Sequence, residues 1–365
     1  MKVGILTFHA AHNYGSMLQA YALQQTVIAL GHDCRIINLR TPRQKKYYGP
    51  FFTKNGLRPK IKALAYPAVA VNDWRKCRLF ERFLRNNLIL TDTEYSTSEQ
   101  LRQASLNFDV IISGSDQIWN TSCFDHEPAY FLDFDTPAKR VAYAPSMGPD
   151  PDNQIENILF PRLAKYLNRF YAIAVREQRT ALIVSKILPE KKNVDIVLDP
   201  TLLLPPSQWC RLAGDTPLVM GDYIFVYTPW HHKELYAQAS AIADKTGMKV
   251  VCSSYHFYHQ WHRNPHFHFH TAVGPIEFLN LVKFSRFVVC SSFHAVVFAI
   301  LFSKPFYVLD GMSDGRIAPL LSDLSLEYCA QLPDKIIPGK DLTYNFDWLT
   351  LQRAHSLDFL KKVLS

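Results

Sequence analysis

Nowhere in the 365 residues does an apolar run approach the roughly 18 to 20 that cross a bilayer. The nearest candidate, 63–71, is broken by Pro67. The opening Met1–Phe8 stretch carries one lysine and a short apolar run that stops at His9, without the longer apolar region and small-residue cleavage site of a secretory leader. It reads as a first strand, and a cytoplasmic chain is expected. The seven cysteines are scattered singly, odd in number and without a C-x-x-C pair, which argues for reduced thiols over a disulfide framework or a zinc ribbon. Cys34, Cys252 and Cys290 each sit in an apolar run, where a thiol acts as a small hydrophobe, and none is assigned to catalysis. Neither G-x-G-x-x-G nor G-x-x-x-x-G-K-[ST] occurs, which argues against dinucleotide redox chemistry and ATP hydrolysis, and no cofactor is expected. No recognition-helix or RNP-like pattern accompanies the basic residues, so nucleic acid is not an expected partner.

What is present is a regular alternation of short apolar runs with helical spacings. The runs 3–8 and 34–39 flank a helix over 16–30, a β-α-β unit of the kind that builds parallel sheets. Further strands are predicted at 109–113, 140–144, 171–175 and 195–198. Prolines at 200, 205 and 206 mark a linker, and a second series follows with strands at 223–228, 249–253, 287–290 and 305–309. The expected fold class is α/β, with two Rossmann-like domains facing across a cleft: 1–200, 201–345, and a final helix from 346 to 365 packing back on the first. Open α/β sheets bind ligands at the carboxyl ends of their strands, so the chemistry is sought there.

The net charge of +8 has a local origin, because residues 40–85 hold thirteen Lys and Arg against two acids, Asp73 and Glu81. This stretch reads as a basic helical insertion, 40–90, in the first domain. It suits an anionic membrane face or a phosphorylated carrier, and equally a solvated helical face.

Four stretches then converge. His12–Leu23 (H-N-Y-G-S-M-L-Q-A-Y-A-L), Ile112–Asn120 (I-S-G-S-D-Q-I-W-N), Val197–Leu204 (V-L-D-P-T-L-L-L), and Ser292–His294 with Lys304–Phe306 resemble the polysaccharide pyruvyl transferase family over nearly the whole chain. The most specific is G-S-D-Q-I-W-N, since no general folding rule calls for it. The resemblance implies a glycosyltransferase B-like fold. It also implies transfer of a pyruvyl group from phosphoenolpyruvate to a sugar hydroxyl pair, as a ketal on a bacterial surface polysaccharide or its precursor, with a glycan or lipid-linked saccharide as acceptor. Many members read T-D-S-F-H-G where this chain has Cys290–Ala295, so that Ser291 and Ala295 replace an acid and a glycine. A more distant branch carries an arginine where this chain has Ser292.

That chemistry needs a proton delivered to a methylene carbon, a proton taken from the attacking hydroxyl, and cations for a carboxylate and a phosphate. A histidine serves both proton roles near neutral pH. His294, opening an apolar helix after a buried strand, is the candidate, against the alternative of a helix-start packing residue. Asp116 is the second catalytic candidate, to orient a histidine or accept a sugar proton, or simply to hold loop N–H groups. Arg176 and Arg316 are donor-binding candidates by their planar donor forks, Arg176 alternatively pairing with Glu177. Asn13, Gly15 and Ser16 form a turn whose N–H groups and helix end could hold an anion, or only a tight βα turn. Trp119, Gln117, Trp261 and His259 are acceptor-binding candidates, with Trp119 alternatively in the core. The histidine-rich stretch 256–270 has no acidic or cysteine partner within it and no H-E-x-x-H, so no metal site is assigned and a mobile aromatic loop over the cleft is expected. A nucleotide-sugar glycosyltransferase and a non-catalytic glycan- or membrane-associated binding protein are the competing readings.

Overall fold

Each apolar run becomes a strand of a parallel sheet in the computed structural model, which describes residues 1–49, 67–148, 160–188, 190, 194–229, 232–254, 258–331 and 342–365. The chain divides into two units, 1–49 with 84–204 and 349–365, and 50–83 with 205–348.

The first unit is built on β1 (Lys2–Leu6), β2 (Asp33–Ile36), β3 (Val110–Ser113), β4 (Lys139–Tyr143), β5 (Ala172–Val175) and β6 (Asp195–Ile196). Their order is β2-β1-β3-β4-β5-β6 and every pairing is parallel, with Val3 opposite both Cys34 and Val110. The inner strands are apolar along their length because helices cover both faces, as a parallel sheet requires. β3, for example, reads V-I-I-S and is wholly buried. The strand order reverses between β1 and β3, which opens a crevice at their carboxyl ends.

The second unit carries β7 (Tyr223–Tyr227), β8 (Lys249–Cys252), β9 (Phe267–Phe269), β10 (Phe287–Cys290) and β11 (Phe306–Val308) in the order β11-β10-β7-β8-β9, again all parallel. Here the reversal falls between β7 and β10. Two Rossmann-like units, each with its own switch point, are therefore present. No described helix is long and apolar enough to cross a membrane.

Two features depart from the sequence reading. The histidine-rich stretch is not a loop throughout, since Phe267–Phe269 forms the edge strand β9, pairing Val250 with Phe267 and Cys252 with Phe269. Its His-Phe alternation is the period-2 pattern of a half-covered strand, with Phe267 buried and His268 outward. The charged insertion is also divided: residues 67–83 of the helix Pro67–Asn87 go with the second unit, and its end from Leu84 with the first. Leu79 packs so closely beneath Gly274 that a Cβ there would lie 2.5 Å from the Leu79 Cβ. The last helix, Phe346–Val363, packs on the first unit, where Ser356 Oγ accepts the Leu198 N–H at 2.9 Å and Arg353 Nε donates to the Leu202 carbonyl at 2.8 Å.

Gly114, directly after β3, has φ +141°, and a Cβ on it would meet the Tyr143 carbonyl oxygen at 1.9 Å. Neither backbone can yield without parting β3 from β4. Gly114→Ala is therefore expected to cost more than about 3 kcal/mol of stability, combining strain with a clash against backbone. Gly31→Ala, also at positive φ (+90°) but with open space around the new carbon, is the control and loses much less. Urea unfolding of both variants measures the difference.

Candidate functional site

In the first unit the switch point is filled by a continuous polar network. The Gln19 amide nitrogen donates to Thr7 Oγ1 at 2.9 Å and to the Ser16 carbonyl at 2.8 Å, while its oxygen accepts the Ser115 N–H at 3.2 Å. Thr7 donates to the Ser115 carbonyl and Ser115 to the Ala144 carbonyl, both at 2.9 Å. These bonds fix the G-S-D corner across the ends of β1, β3 and β4. At its tip Asp116 is buried with φ 73°, an unusual backbone for a residue with a side chain and one seen where surroundings over-determine it. Its carboxylate accepts the Ser16 hydroxyl at 2.6 Å and faces Arg176 Nη1 at 4.0 Å.

Arg176 follows β5 and is buried among acids. Nη1 donates to Asp199 Oδ2 at 2.8 Å and Nε to Glu177 Oε2 at 3.2 Å. Burial works against its charge, but the carboxylates of Glu177, Asp199 and Asp116 outweigh burial and hold the guanidinium above its ordinary pKa. The acids are themselves secured, Glu177 by the Thr180 hydroxyl at 2.7 Å and Asp199 by the Thr201 hydroxyl and N–H at 2.7 and 3.0 Å.

Several residues singled out in the sequence thus take internal partners. Asn13 caps the helix Tyr14–Ala29 by accepting the Ser16 N–H at 3.3 Å, Gly15 lies buried in its first turn, and the anion held by Ser16 at that helix start is the protein's own Asp116. Arg176 is committed to ion pairs, as an arginine beside three carboxylates must be. Trp119 is core: it is 1% exposed, stacks on Phe131 at 5.3 Å and donates Nε1 to the Tyr130 carbonyl at 3.2 Å. Gln117, half-buried, accepts from Asn120 Nδ2 at 3.0 Å and shapes the loop that follows.

In the second unit Ser291 Oγ donates to Thr228 Oγ1 at 2.8 Å, tying the carboxyl ends of β10 and β7 at the switch point. Ser292 stands at the N-cap position of the helix Phe293–Leu301 without a side-chain capping bond. That helix reads F-H-A-V-V-F-A-I-L, and His294 is its one residue that is not buried, its ring set edge-on to Phe293 at 5.2 Å. Arg316 lies eight residues beyond the neighbouring strand β11 and directly precedes the helix Ile317–Asp323. Its guanidinium grips Asp314 through Nε at 3.0 Å and Nη2 at 2.6 Å. Burial pushes the Asp314 carboxyl up, but the Arg316 fork outweighs burial and holds it below the ordinary carboxylate range. Trp261 stacks on Phe267 at 4.8 Å against the core of this unit; His256 and the His259 side chain lie outside the described residues. Of the other histidines in the stretch, His262 stacks on Tyr258 and His266 lies 3.6 Å from Asp244.

Sequence reasoning missed a group beside Asp116. The helix Pro42–Tyr48 and the loop after Asn120 carry Tyr47 stacked on Phe124 at 4.2 Å, Arg43 over the same ring at 4.2 Å, and the Tyr48 hydroxyl donating to Asp125 at 2.8 Å. Burial raises the Asp125 pKa, with Asp116 among the charges that add to the rise. Gln44 is buried next to this pair and hydrogen-bonds Asp125, while its Oε1 has no partner among the described residues. His9, also missed, is buried with Nδ1 3.1 Å from the Thr7 carbonyl and Nε2 3.1 Å from Asn38 Oδ1, and burial lowers its pKa. The aromatic pair Tyr47-Tyr48 opening a basic run was the available signal.

Arg176→Ala strands three carboxylates around a buried gap and is expected to cost about 3 to 5 kcal/mol, read from denaturant unfolding. Arg176→Lys keeps the charge but not the fork and recovers part of that loss. In Arg316→Ala only burial and neighbouring hydrogen bonds act on Asp314, so its carboxyl titrates at higher pH than in the parent, a rise followed by carboxyl-carbon NMR. The depressed parent value means that this ion pair's stability is present above the ordinary carboxylate range and is lost as pH falls through the folded value.

Solved structures share this fold at low identity. The UDP-GlcNAc 2-epimerase of Methanocaldococcus jannaschii aligns with TM-score 0.53 and 10% identity over 100% of this chain and 99% of its own. The UDP-N-acetylglucosamine 2-epimerase of Rickettsia bellii aligns with TM-score 0.54 and 9% identity over 100% and 96%. An alpha-glucosyltransferase solved with UDP and a 13-mer DNA aligns with TM-score 0.50 and 10% identity over 99% and 95%. No curated protein matches the chain. The polysaccharide pyruvyl transferase family model matches residues 13–311, which takes in the G-S-D corner, Arg176, the Ser291–Thr228 tie and His294. The chain therefore belongs to the polysaccharide pyruvyl transferase family.

Proposed function

We propose that the chain transfers the pyruvyl carbons of phosphoenolpyruvate to two hydroxyls of a glycan or lipid-linked saccharide as a ketal, with His294 handling the protons. The observation that carries this reading is the placement of His294: a partly buried imidazole, its Nε2 shielded from solvent, on an otherwise buried helix at the carboxyl end of β10 where the second sheet's order reverses. In the reaction one hydroxyl adds to C2 of the enol as the methylene carbon takes a proton and becomes a methyl group. The second hydroxyl then replaces phosphate at C2, and the two hydroxyl protons balance the methyl proton and the protonated phosphate. An imidazole near neutral pH accepts the one and donates the other. Arg316, now paired with Asp314, is assigned to the donor's carboxylate or phosphate, for which its fork would exchange Asp314.

In the first unit we assign Asp116 to the acceptor hydroxyl and the Tyr47–Phe124 shelf with Asp125 to the saccharide ring, since an aromatic face and a hydrogen-bonding carboxyl suit a sugar's two kinds of surface. Arg176 holds Asp116 in place and does not itself meet the donor. A cytoplasmic location with peripheral contact between the basic insertion and an anionic membrane belongs to the same reading, because a lipid-linked acceptor is met at such a surface.

Phosphate release from phosphoenolpyruvate against a panel of saccharide acceptors tests the proposal. The parent releases phosphate only with an acceptor, and His294→Ala lowers the rate by about 10² to 10⁴-fold, the range for loss of a general acid–base. A His294→Ala enzyme as fast as the parent removes the imidazole from the mechanism. Turnover with UDP-sugar donors and none with phosphoenolpyruvate establishes a glycosyltransferase instead.

A further inference from the structure

The helix Pro67–Asn87 has one buried side and one solvent side. Phe80, Phe83 and Leu84 are buried, at 3% exposure or less. Val71, Trp74, Arg75, Arg78, Arg82 and Arg85 are all exposed. At about 100° per residue these six fall within a single arc of about 100° opposite Phe80. Asp73 and Glu81, the helix's two acids, fall outside that arc and are half-buried.

The composition of the arc is not that of an ordinary wet face. Val71 is 46% and Trp74 43% exposed, and the Arg78 guanidinium lies over the Trp74 ring at 4.6 Å. No acid within the arc neutralises its four arginines, whereas elsewhere in the basic stretch Lys45 is paired with Glu94 and Arg43 covers Phe124. Exposed Trp and Val among unneutralised arginines match the two requirements of an interfacial helix: apolar groups that enter the acyl boundary and cations that meet lipid phosphates. A nucleic-acid surface would use the arginines but has no use for the exposed valine.

We propose that this arc is a membrane-docking face that seats the protein on a bilayer rich in anionic phospholipid, with Trp74 and Val71 inserted at the headgroup boundary. The proposal rests on the peripheral-membrane part of the functional reading but not on its chemistry, so neither phosphoenolpyruvate nor saccharide enters its test.

The test is co-sedimentation of the full chain with vesicles of phosphatidylcholine alone and with a phosphatidylglycerol fraction. The protein should pellet only with the anionic vesicles. Arg75→Gln, Arg78→Gln and Arg82→Gln should each weaken partitioning about fivefold and more in combination, with binding falling as salt rises. Trp74 should be quenched by spin-labelled lipid, read as the difference between the parent and Trp74→Phe. Circular dichroism of each variant confirms that the fold is retained, which these solvent-facing side chains allow. A parent protein that stays in the supernatant with anionic vesicles at low salt overturns the proposal. So does equal pelleting of the triple arginine variant, or a Trp74 signal unaffected by spin-labelled lipid. Equal, arginine-dependent binding to a single-stranded homopolymer with none to vesicles shows a polyanion site and also overturns it. Activity with a soluble acceptor, unchanged in the same variants, leaves the catalytic reading standing whichever way the vesicles decide.

Discussion

The buried guanidinium of Arg176 is the constraint on which the first unit's functional edge depends. It follows β5, pairs with Asp199 beyond β6 and faces Asp116 beyond β3, so one cation joins the carboxyl ends of three strands. Three carboxylates gathered away from water would repel one another and resist ionisation without it, and the network of serine, threonine and glutamine bonds would have no fixed corner to hold. The strained backbone at Asp116 belongs to the same arrangement. A left-handed conformation persists there because the Gln19 bond to Ser115, the Ser146 N–H on the Asp116 carbonyl at 2.9 Å and the Ser16 hydroxyl on its carboxylate leave no relaxed alternative.

The two switch points carry different chemistry. The first is acidic, and its charges orient one another through Arg176. The second carries His294 at the start of its helix, and Ser291, where many family members carry an acid, spends its hydroxyl on Thr228. Replacing that acid by serine removes a negative charge two residues before the helix that carries His294. That change leaves the end of β10 less negative than a carboxylate there would make it.

The fold was legible because parallel strands covered on both faces must be apolar throughout, and V-I-I-S, Y-I-F-V-Y and F-V-V-C allow little else. The helix Pro275–Phe284 was likewise bounded by its own proline and by the end of its apolar spacing. β9 was not legible, since six histidines mask the period-2 alternation and an edge strand needs only one covered face. Among the site residues, position along the chain was readable but partnership was not. Arg176 invited anion binding because nothing local reveals that Asp199 and Asp116, 23 and 60 residues away, converge on it. Trp119 invited stacking for the same reason: only the fold brings Phe131 and Phe170 around its indole. The Tyr48–Asp125 pair spans 77 residues and two loops, and no spacing rule reaches that far.

Arg316 is held by its acid in a different way from Arg176. Its fork is filled by Asp314, two residues away in the same turn, and this local pair survives exchange far better than the Arg176 cluster would. Both partners are only partly buried, at 15% and 19% side-chain exposure, so a released Asp314 regains water instead of being left uncompensated in the core. On the functional reading proposed above, a phosphate or carboxylate ligand would exchange one charge-assisted bidentate contact for another. Arg176, buried among acids, offers no such exchange, so the same residue type sits in a closed network in one unit and in a local, partly exposed pair in the other.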